Sequence, residues 1–386
     1  MHRVLVNMPS QYGGKPSGVA LVMFRLIEHL LERGSVAIVL RSPWTRAQLP
    51  ASLGDRIEIE TVERSRFMIF DVAAQLLSVP AACRRHGIDL VLNADPYGAA
   101  LGGRARITIV HDLYFRTIPD RVGPREAFLT DLIFRLVLPR SRSVVAVSNT
   151  TRRDLERHYP SLRGRTVTVP SASILDAKRT VDAPPVTAHG RYVLAVGNAT
   201  PNKNFSALAQ GIARLSADWP DLGIVHVGRD PQETIAGTLA SLGCRAPLIR
   251  LGGLDDRALA SLYRGALCLC VPSIAEGFCL PVLEAQSLGC PVVCSDRSAT
   301  PEVAGEGALL FDPDDPQALA ACLRRLLTEP DLRAALADRG HENEAGYTWS
   351  EAARAYEAVI MSALAQTRPA SHTDPEKQAA DAYPAS

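Results

Sequence analysis

Residues 271–293 read VPSIAEGFCLPVLEAQSLGCPVV. The apolar run that closes at Val271 reads as a buried strand, and Pro272–Leu280 as an irregular loop. A helix opens at Pro281, where a missing N–H costs nothing because first-turn N–H groups have no partner in the helix. Pro291–Cys294 then reads as another apolar strand. Strand, helix and strand in close succession are the unit of a parallel sheet covered by helices.

The same alternation continues on both sides of this stretch. In the second half Tyr192–Val196, Gly223–Val227, Leu248–Leu251, Leu267–Val271, Pro291–Cys294 and Ala308–Phe311 read as strands. Asn204–Ser216, Thr234–Leu242, Arg257–Arg264, Pro281–Leu288 and Gln317–Leu327 read as the helices between them. In the first half Arg3–Val6, Val36–Leu40, Leu90–Leu92, Ile107–Val110, Val144–Val147 and Thr166–Val169 read as strands. Val19–Leu31, Arg125–Leu138 and Thr151–His158 read as helices, the last with Asn149 as its N-cap. Residues 176–189 (DAKRTVDAPPVTAH) break the pattern with adjacent prolines and read as a linker. The expected fold is α/β: two doubly wound, Rossmann-like domains, residues 1–175 and 190–348, joined by that linker. Residues 349–366 are expected to form a helix packing back toward the first domain, and 367–386 to form a disordered tail. Ligands of such sheets bind beyond the carboxyl ends of the strands, so two facing domains enclose one cleft.

Length and composition agree with this division. The chain has 386 residues, about twice a common domain size, with 47% hydrophobic and 22% charged residues, which excludes wholesale disorder. The net charge of +1 hides an asymmetry, a surplus of ten positive charges through Thr180 and nine negative beyond it. A basic first half suggests an anionic partner, and a phosphorylated lipid or anionic membrane surface fits that role, as does an Arg-rich solvated surface with no partner. No nucleic acid partner is expected. Cysteines stand at 83, 244, 268, 270, 279, 290, 294 and 322, without a C-x-x-C pair, and read as free thiols of a reducing cytosol. The first residues lack the apolar core of a signal peptide, and no apolar run reaches the roughly 18 residues of a membrane span. The expected location is cytoplasmic, with any membrane contact peripheral, at the inner face of the cytoplasmic membrane.

Chemistry concentrates in the loop before Pro281. A helix N-terminus suits an anionic diphosphate, yet Glu276 lies in the loop and Glu284 in what reads as the first helical turn. A carboxylate near bound phosphates repels them unless it has a positive or hydroxyl-rich partner. Two of them therefore suggest hydrogen bonding to polyols, a sugar ring and a ribose, although a loop acid and a helix-start acid alone would carry little meaning. With its flanking strand, Gly277, Pro281 and following strand, this stretch resembles the E-x7-E signature of retaining glycosyltransferase family 4, of GT-B fold. The resemblance implies that Glu276 contacts the donor sugar and Glu284 the donor ribose, with Gly277, Phe278, Cys279 and Leu280 near the diphosphate. Cys279 stands where the family pattern usually has Gly, which narrows the loop's freedom.

Other segments extend the likeness over roughly residues 1–365. Tyr192–Phe205 (YVLAVGNATPNKNF) is a strand, Gly197, a polar loop and a helix start, with Lys203 able to neutralise phosphate. It resembles the family's VGR-x-x-P-x-KN pattern, with Lys203 matching the family lysine and Asn198 replacing the usual arginine. Leu251–Leu254 (LGGL), with Gly253, resembles the loop that frames the nucleobase. Ile107–Leu113 (ITIVHDL) places His111 and Asp112 after a buried strand and resembles the family's T-x-HD-L, with the His near the transferred sugar. Gln11–Val19 (QYGGKPSGV) resembles the Gly-Gly loop near donor phosphate and acceptor, through Gly13, Gly14 and Gly18. Val144–Leu155 resembles the family's strand, Ser and helix start, while Pro170–Ser173 (PSAS) departs from Pro-Asn-Gly.

The resemblance implies a retaining hexosyltransferase using a nucleotide diphosphate sugar, GDP-mannose-like before UDP-linked. A saccharide or lipid-linked saccharide in cell-surface polysaccharide or lipopolysaccharide synthesis would be the acceptor. No cofactor and no metal are expected: no DxD triplet stands at a strand end, and Asp312–Asp315 (DPDD) reads as a turn. A GT-B sugar-nucleotide 2-epimerase and a non-catalytic nucleotide-sugar-binding subunit remain alternatives at this point.

Overall fold

The computed structural model describes residues 1–11, 15–63, 68–175 and 190–366. The expected linker (176–189), the expected tail (367–386), Gly13 and Gly14 lie outside the described residues. Among the described residues the first domain carries β1 (His2–Asn7), β2 (Val36–Ser42), β3 (Glu58–Thr61), β4 (Leu90–Asn93), β5 (Ala105–Val110), β6 (Ser143–Ala146) and β7 (Thr166–Thr168). Its helices are α1 (Gly18–Arg33), α2 (Met68–His86), α3 (Tyr114–Thr117), α4 (Pro124–Val137) and α5 (Asn149–His158). The strands form one parallel sheet in the order β3-β2-β1-β4-β5-β6-β7, with Val4 opposite Ile38 on one side and Leu90 on the other.

The second domain repeats the plan with β8 (Tyr192–Val196), β9 (Gly223–Val227), β10 (Leu248–Leu251), β11 (Cys268–Val271), β12 (Val292–Ser295) and β13 (Ala308–Phe311). They pair in parallel in the order β10-β9-β8-β11-β12-β13. Helices α6 (Phe205–Leu215), α7 (Thr234–Ser241), α8 (Asp256–Gly265), α9 (Leu280–Ser287), α10 (Thr300–Ala304), α11 (Pro316–Thr328) and α12 (Pro330–Glu344) flank the sheet. The last helix, α13 (Trp349–Ala365), leaves this domain and packs on α1 of the first. Arg33 pairs with Glu357 there, and the Trp349 indole N–H donates to the Ser173 carbonyl at 2.8 Å. One apolar cluster consequently runs from Val4 and Leu30 through Ile360 to Leu194 and Val282.

The strand order reverses between β1 and β4 and again between β8 and β11. Loops diverge at such switch points and leave a crevice for a ligand. Ser10 and Asp95 follow the first pair, while Lys203 and Glu276 follow the second.

Some local features differ from the sequence reading. Strand β3, helix α2 and helix α12 were not foreseen. β3 (EIET) is an edge strand with polar alternation, α2 carries Pro80 in its interior, and α12 mixes charges without an apolar stripe. The N-cap of α5 is Ser148, whose hydroxyl accepts the Thr151 N–H at 3.0 Å; Asn149 is the first helical residue. Leu280, not Pro281, opens α9, so Glu284 falls past the first turn and is not a helix-start charge. Gly18 belongs to the first turn of α1, behind the Ser17 cap, and is not part of a loop.

Candidate functional site

The loop after β8 is shaped by backbone demands that local residues meet. Gly197 has φ of +122°, a region that side chains avoid, and a β-carbon there would approach Lys203 Cε at 3.4 Å. The buried His226 of β9 donates Nε2–H to the Gly197 carbonyl at 2.8 Å, fixing where the loop leaves the sheet. Asn198 is exposed and its side-chain oxygen accepts the Arg229 N–H at 3.0 Å, so Arg229 abuts the position lacking an arginine. Asn204 turns left-handed (φ 52°) between the Pro201–Lys203 turn and α6, carrying the chain from Lys203 into the helix.

Lys203 meets Glu276, Nζ to Oε1, at 2.7 Å. Burial weakens the ammonium, but Glu276 beside it more than compensates, and the Lys203 pKa stands above the ordinary lysine value. Glu276 is itself held through its backbone: its N–H donates to Ser298 Oγ at 3.1 Å and its carbonyl accepts from that hydroxyl at 2.7 Å. Ser298 reaches both through a left-handed backbone of φ 61°. Phe278 is buried in the core and meets Tyr347 edge-on at 6.0 Å. Cys279 is left-handed at φ 79°, the conformation a glycine adopts freely, and burial pushes its thiol far above the usual range.

Glu284 is buried in α9 and accepts the Tyr263 hydroxyl at 2.7 Å. Burial raises its pKa to about 7 against the opposing pull of Tyr263 and Lys203. The Lys203 charge acts on Glu276, Glu284 and Asp112 together, which makes these four one electrostatic group.

The first domain closes over this group. A β-carbon on Gly277 would lie 1.4 Å from the His111 carbonyl oxygen and 3.1 Å from Asp112 Cβ, so only glycine permits the approach. Thr151 Oγ1 donates to the Gly277 carbonyl at 3.1 Å. His111 donates Nε2–H to the Ala94 carbonyl at 2.8 Å, which leaves Nδ1 of a neutral ring as an acceptor. Burial lowers the His111 pKa and raises that of Asp112 to about 7. Farther along the crevice Lys15 Nζ donates to the carbonyl of Gly253, itself at φ +71°. The structure thus brings together Lys203, Glu276, Gly277, His111 and Asp112 directly, with Glu284 within electrostatic reach. Gly18 is exposed on α1 and touches none of them.

Residues 181–343 match the family model described as Glycosyl transferases group 1, and residues 16–172 that described as Glycosyltransferase Family 4. The chain belongs to the glycosyltransferases, family 4 in its first domain and group 1 in its second. This glycosyltransferase-family chain is 30% identical to O-antigen chain mannosyltransferase B of Escherichia coli over 260 residues, 63% of this chain and 66% of that protein. It is 32% identical to the phosphatidyl-myo-inositol mannosyltransferase of Mycolicibacterium smegmatis over 229 residues, 56% and 57% of the two chains. The match therefore spans under two thirds of the length of these curated relatives. Sucrose-phosphate synthase of Thermosynechococcus elongatus shares the fold, with a TM-score of 0.75 at 19% identity, covering 95% of this chain and 100% of that one. The two facing parallel-sheet domains are the GT-B arrangement.

The sequence reading missed Tyr263, His226, Ser298, Thr151 and Glu302 as contributors. Each acts on a residue far away in the chain, and none carries a local pattern that marks it.

Proposed function

We propose that this chain is a retaining, metal-independent hexosyltransferase that uses a nucleoside diphosphate sugar. The observation that carries the reading is the Lys203–Glu276 ion pair at the closed meeting of two strand-end crevices, with Glu284 buried behind it. Lys203 and the N–H groups at the start of α9 hold the diphosphate, Glu284 accepts ribose hydroxyls, and Glu276 accepts hydroxyls of the sugar. Arg229 supplies the second positive charge that Asn198 does not.

In the reaction the bond from the anomeric carbon to the β-phosphate oxygen breaks, and the electron pair leaves with the diphosphate. Lys203 and preorganised N–H donors stabilise that developing charge at no cost in reorganisation. The acceptor hydroxyl forms its bond on the same face and passes its proton to the departing phosphate oxygen. His111 accepts a sugar hydroxyl through Nδ1, and the closed domains exclude water that would hydrolyse the donor.

The mannosyltransferase relatives favour mannose as the transferred hexose; the donor of the proposal is GDP-mannose-like before a UDP sugar, and its acceptor a glycan or lipid-linked saccharide of the cell surface. Among the described residues no helix is long and apolar enough to cross a membrane. A peripheral contact at the cytoplasmic membrane's inner face is part of the proposal: Phe128 and Leu132 of α4 are 68% and 52% exposed, beside the exposed Arg125 and Arg135. Co-sedimentation with anionic vesicles, lost on Phe128→Ser with Leu132→Ser, tests that contact.

The central test is a thermal-shift comparison of GDP, UDP, ADP and dTDP, followed by release of nucleotide from the matching sugar donor in EDTA. One nucleotide should raise Tm above the others, and turnover should persist without divalent ions. Full turnover in both Lys203→Ala and Glu284→Ala would defeat the assignment.

A further inference from the structure

Glu284 lies past the first turn of α9 and is 7% exposed, between the fully buried Leu283 and Ala285. Ionising a carboxyl in such surroundings is costly unless a hydrogen-bond donor meets it. Tyr263 of α8, 21 positions earlier, is that donor: it is fully buried and its hydroxyl reaches Glu284 Oε2 at 2.7 Å. We propose that Tyr263 is a positioning residue, whose hydroxyl holds Glu284 ionised and aimed so that Oε1 accepts the ribose of a nucleoside diphosphate sugar. The proposal rests on the glycosyltransferase reading above and names the group that makes its ribose contact effective near neutral pH.

Geometry is the first argument. Helix α8 is anchored at the end that carries Tyr263. The Tyr192 hydroxyl of β8 donates to the Leu262 carbonyl at 2.8 Å, and a β-carbon on Gly265 would lie 2.7 Å from that hydroxyl, so glycine leaves the room this bond needs. At the other end the Asp255 carboxylate caps the helix, accepting the Ala258 N–H at 2.8 Å. A tyrosine carried on a helix fixed at both ends holds its hydroxyl in one place, and the hydroxyl holds one oxygen of Glu284. Among the described residues Oε1 has no hydrogen-bond donor, which leaves it for a ligand.

The direction of the bond is the second. Burial and the neighbouring carboxyl push the Tyr263 phenol well above its ordinary range, so it keeps its proton and donates. A hydrogen bond donated to a carboxylate favours the ionised form.

The charges around Glu284 are the third. Burial pushes its pKa up to about 7, and Tyr263 is the strongest opposing influence. Asp256, exposed in the first turn of α8, adds to the rise, while Lys203 adds to the pull downward. The thiols of Cys279 and Cys290, near Tyr263, are kept neutral by burial. Strands β11 and β12 bring no charged residue to α9. Helices α10 and α12 also pack on α9, but no charge of theirs acts on Glu284 among the described residues. Tyr263 and Lys203 therefore share the task of keeping the ribose acceptor ionised, and Tyr263 is the one that also aims it.

The test titrates the full chain with GDP, UDP, ADP and dTDP from pH 6 to pH 9 and follows the tightest of them by calorimetry. In Tyr263→Phe the ring still fills its place and the bond alone is gone. The midpoint at which binding tightens should move up by about one unit. Affinity should fall about fivefold at pH 7 and stay near that of the unaltered chain at pH 9, with the loss in donor KM and not in kcat. Proton release at pH 7 should rise from about one half toward one per nucleotide. The Glu284 carboxyl carbon, followed by NMR without nucleotide, should show the same upward move. With 3-fluorotyrosine at position 263, a stronger donor, the midpoint should move down. An unmoved midpoint in both variants, or a loss of affinity equal at every pH, overturns the proposal. Failure of the underlying reading shows separately, as no binding of any of the four nucleotides at any pH, while the carboxyl titration still reports whether Tyr263 acts on Glu284.

Discussion

The carboxylate of Glu302, from α10 in the second domain, accepts the backbone N–H of Asn149 at 2.6 Å and of Thr150 at 2.9 Å. These are free N–H groups at the start of α5 in the first domain, so an acid of one lobe caps a helix of the other. It also accepts the Thr150 hydroxyl at 2.9 Å. Charge at a helix start and its N–H bonds are worth about 1–2 kcal/mol together. Glu302→Ala should therefore shift the balance toward an open form by roughly 5–30-fold. Small-angle scattering should show a larger radius of gyration, and kcat should fall more than donor KM rises. Unchanged scattering and rates would place the closing force elsewhere.

Gly277→Ala tests closure from the opposite direction. The added β-carbon cannot coexist with the His111 carbonyl in the closed form. Turnover should drop by about two orders of magnitude or more, since small misplacements at reacting groups are that costly. Nucleotide binding, which the proposal assigns to the second domain, should persist within a few-fold, and a parallel loss of both would contradict the clash argument.

Lys203 and Glu276 are mostly buried, so deleting one partner strands the other. Lys203→Ala should cost about 3 kcal/mol of stability because Glu276 keeps a buried charge without a cation. The double change Lys203→Ala, Glu276→Ala should recover most of that in denaturant melts and recover no turnover. Additive single losses would mean that the pair is not coupled.

The pH dependence follows from Glu284 and Asp112, both raised to about 7 chiefly by burial. Folding favours the protonated form of such acids, so their contribution is fully present below the ordinary carboxylate range and is lost as pH rises through 7. In the proposed complex, ribose hydroxyls donate to the ionised form of Glu284. Nucleotide binding should accordingly tighten as pH rises across 7 and release a proton, measurable by calorimetry in buffers of different ionisation heat. Glu284→Gln should remove most of that release; proton uptake by the unaltered chain would reverse the sign of the argument.

Where the sequence is legible, burial explains why. Tyr192–Val196 and Gly223–Val227 read as strands with the bounds they have in the structure, since strands enclosed on both faces are continuous apolar runs, and the half-buried edge strands Leu248–Leu251 and Ala308–Phe311 do so because their residues stay mostly apolar. The edge strand β3 has a partner on one side alone, and its Glu-Ile-Glu-Thr pattern hides it. Lys203 and Glu276 stand out because each follows a strand within a few residues, a local signal. Tyr263, Ser298 and Glu302 do not, because what gives them meaning is a partner 21 to 153 positions away. The Asn149 cap failed for a smaller reason: Ser148, one residue earlier, has the extended backbone that a cap requires.

The return of α13 to α1 carries the chain from the second lobe back onto the first. The Trp349–Ser173 bond fastens that return to the first domain. A strap fastened on both lobes resists twist and slide between them. The faces that carry His111 and Glu276 are thereby held in one register, with the last helix as their splint.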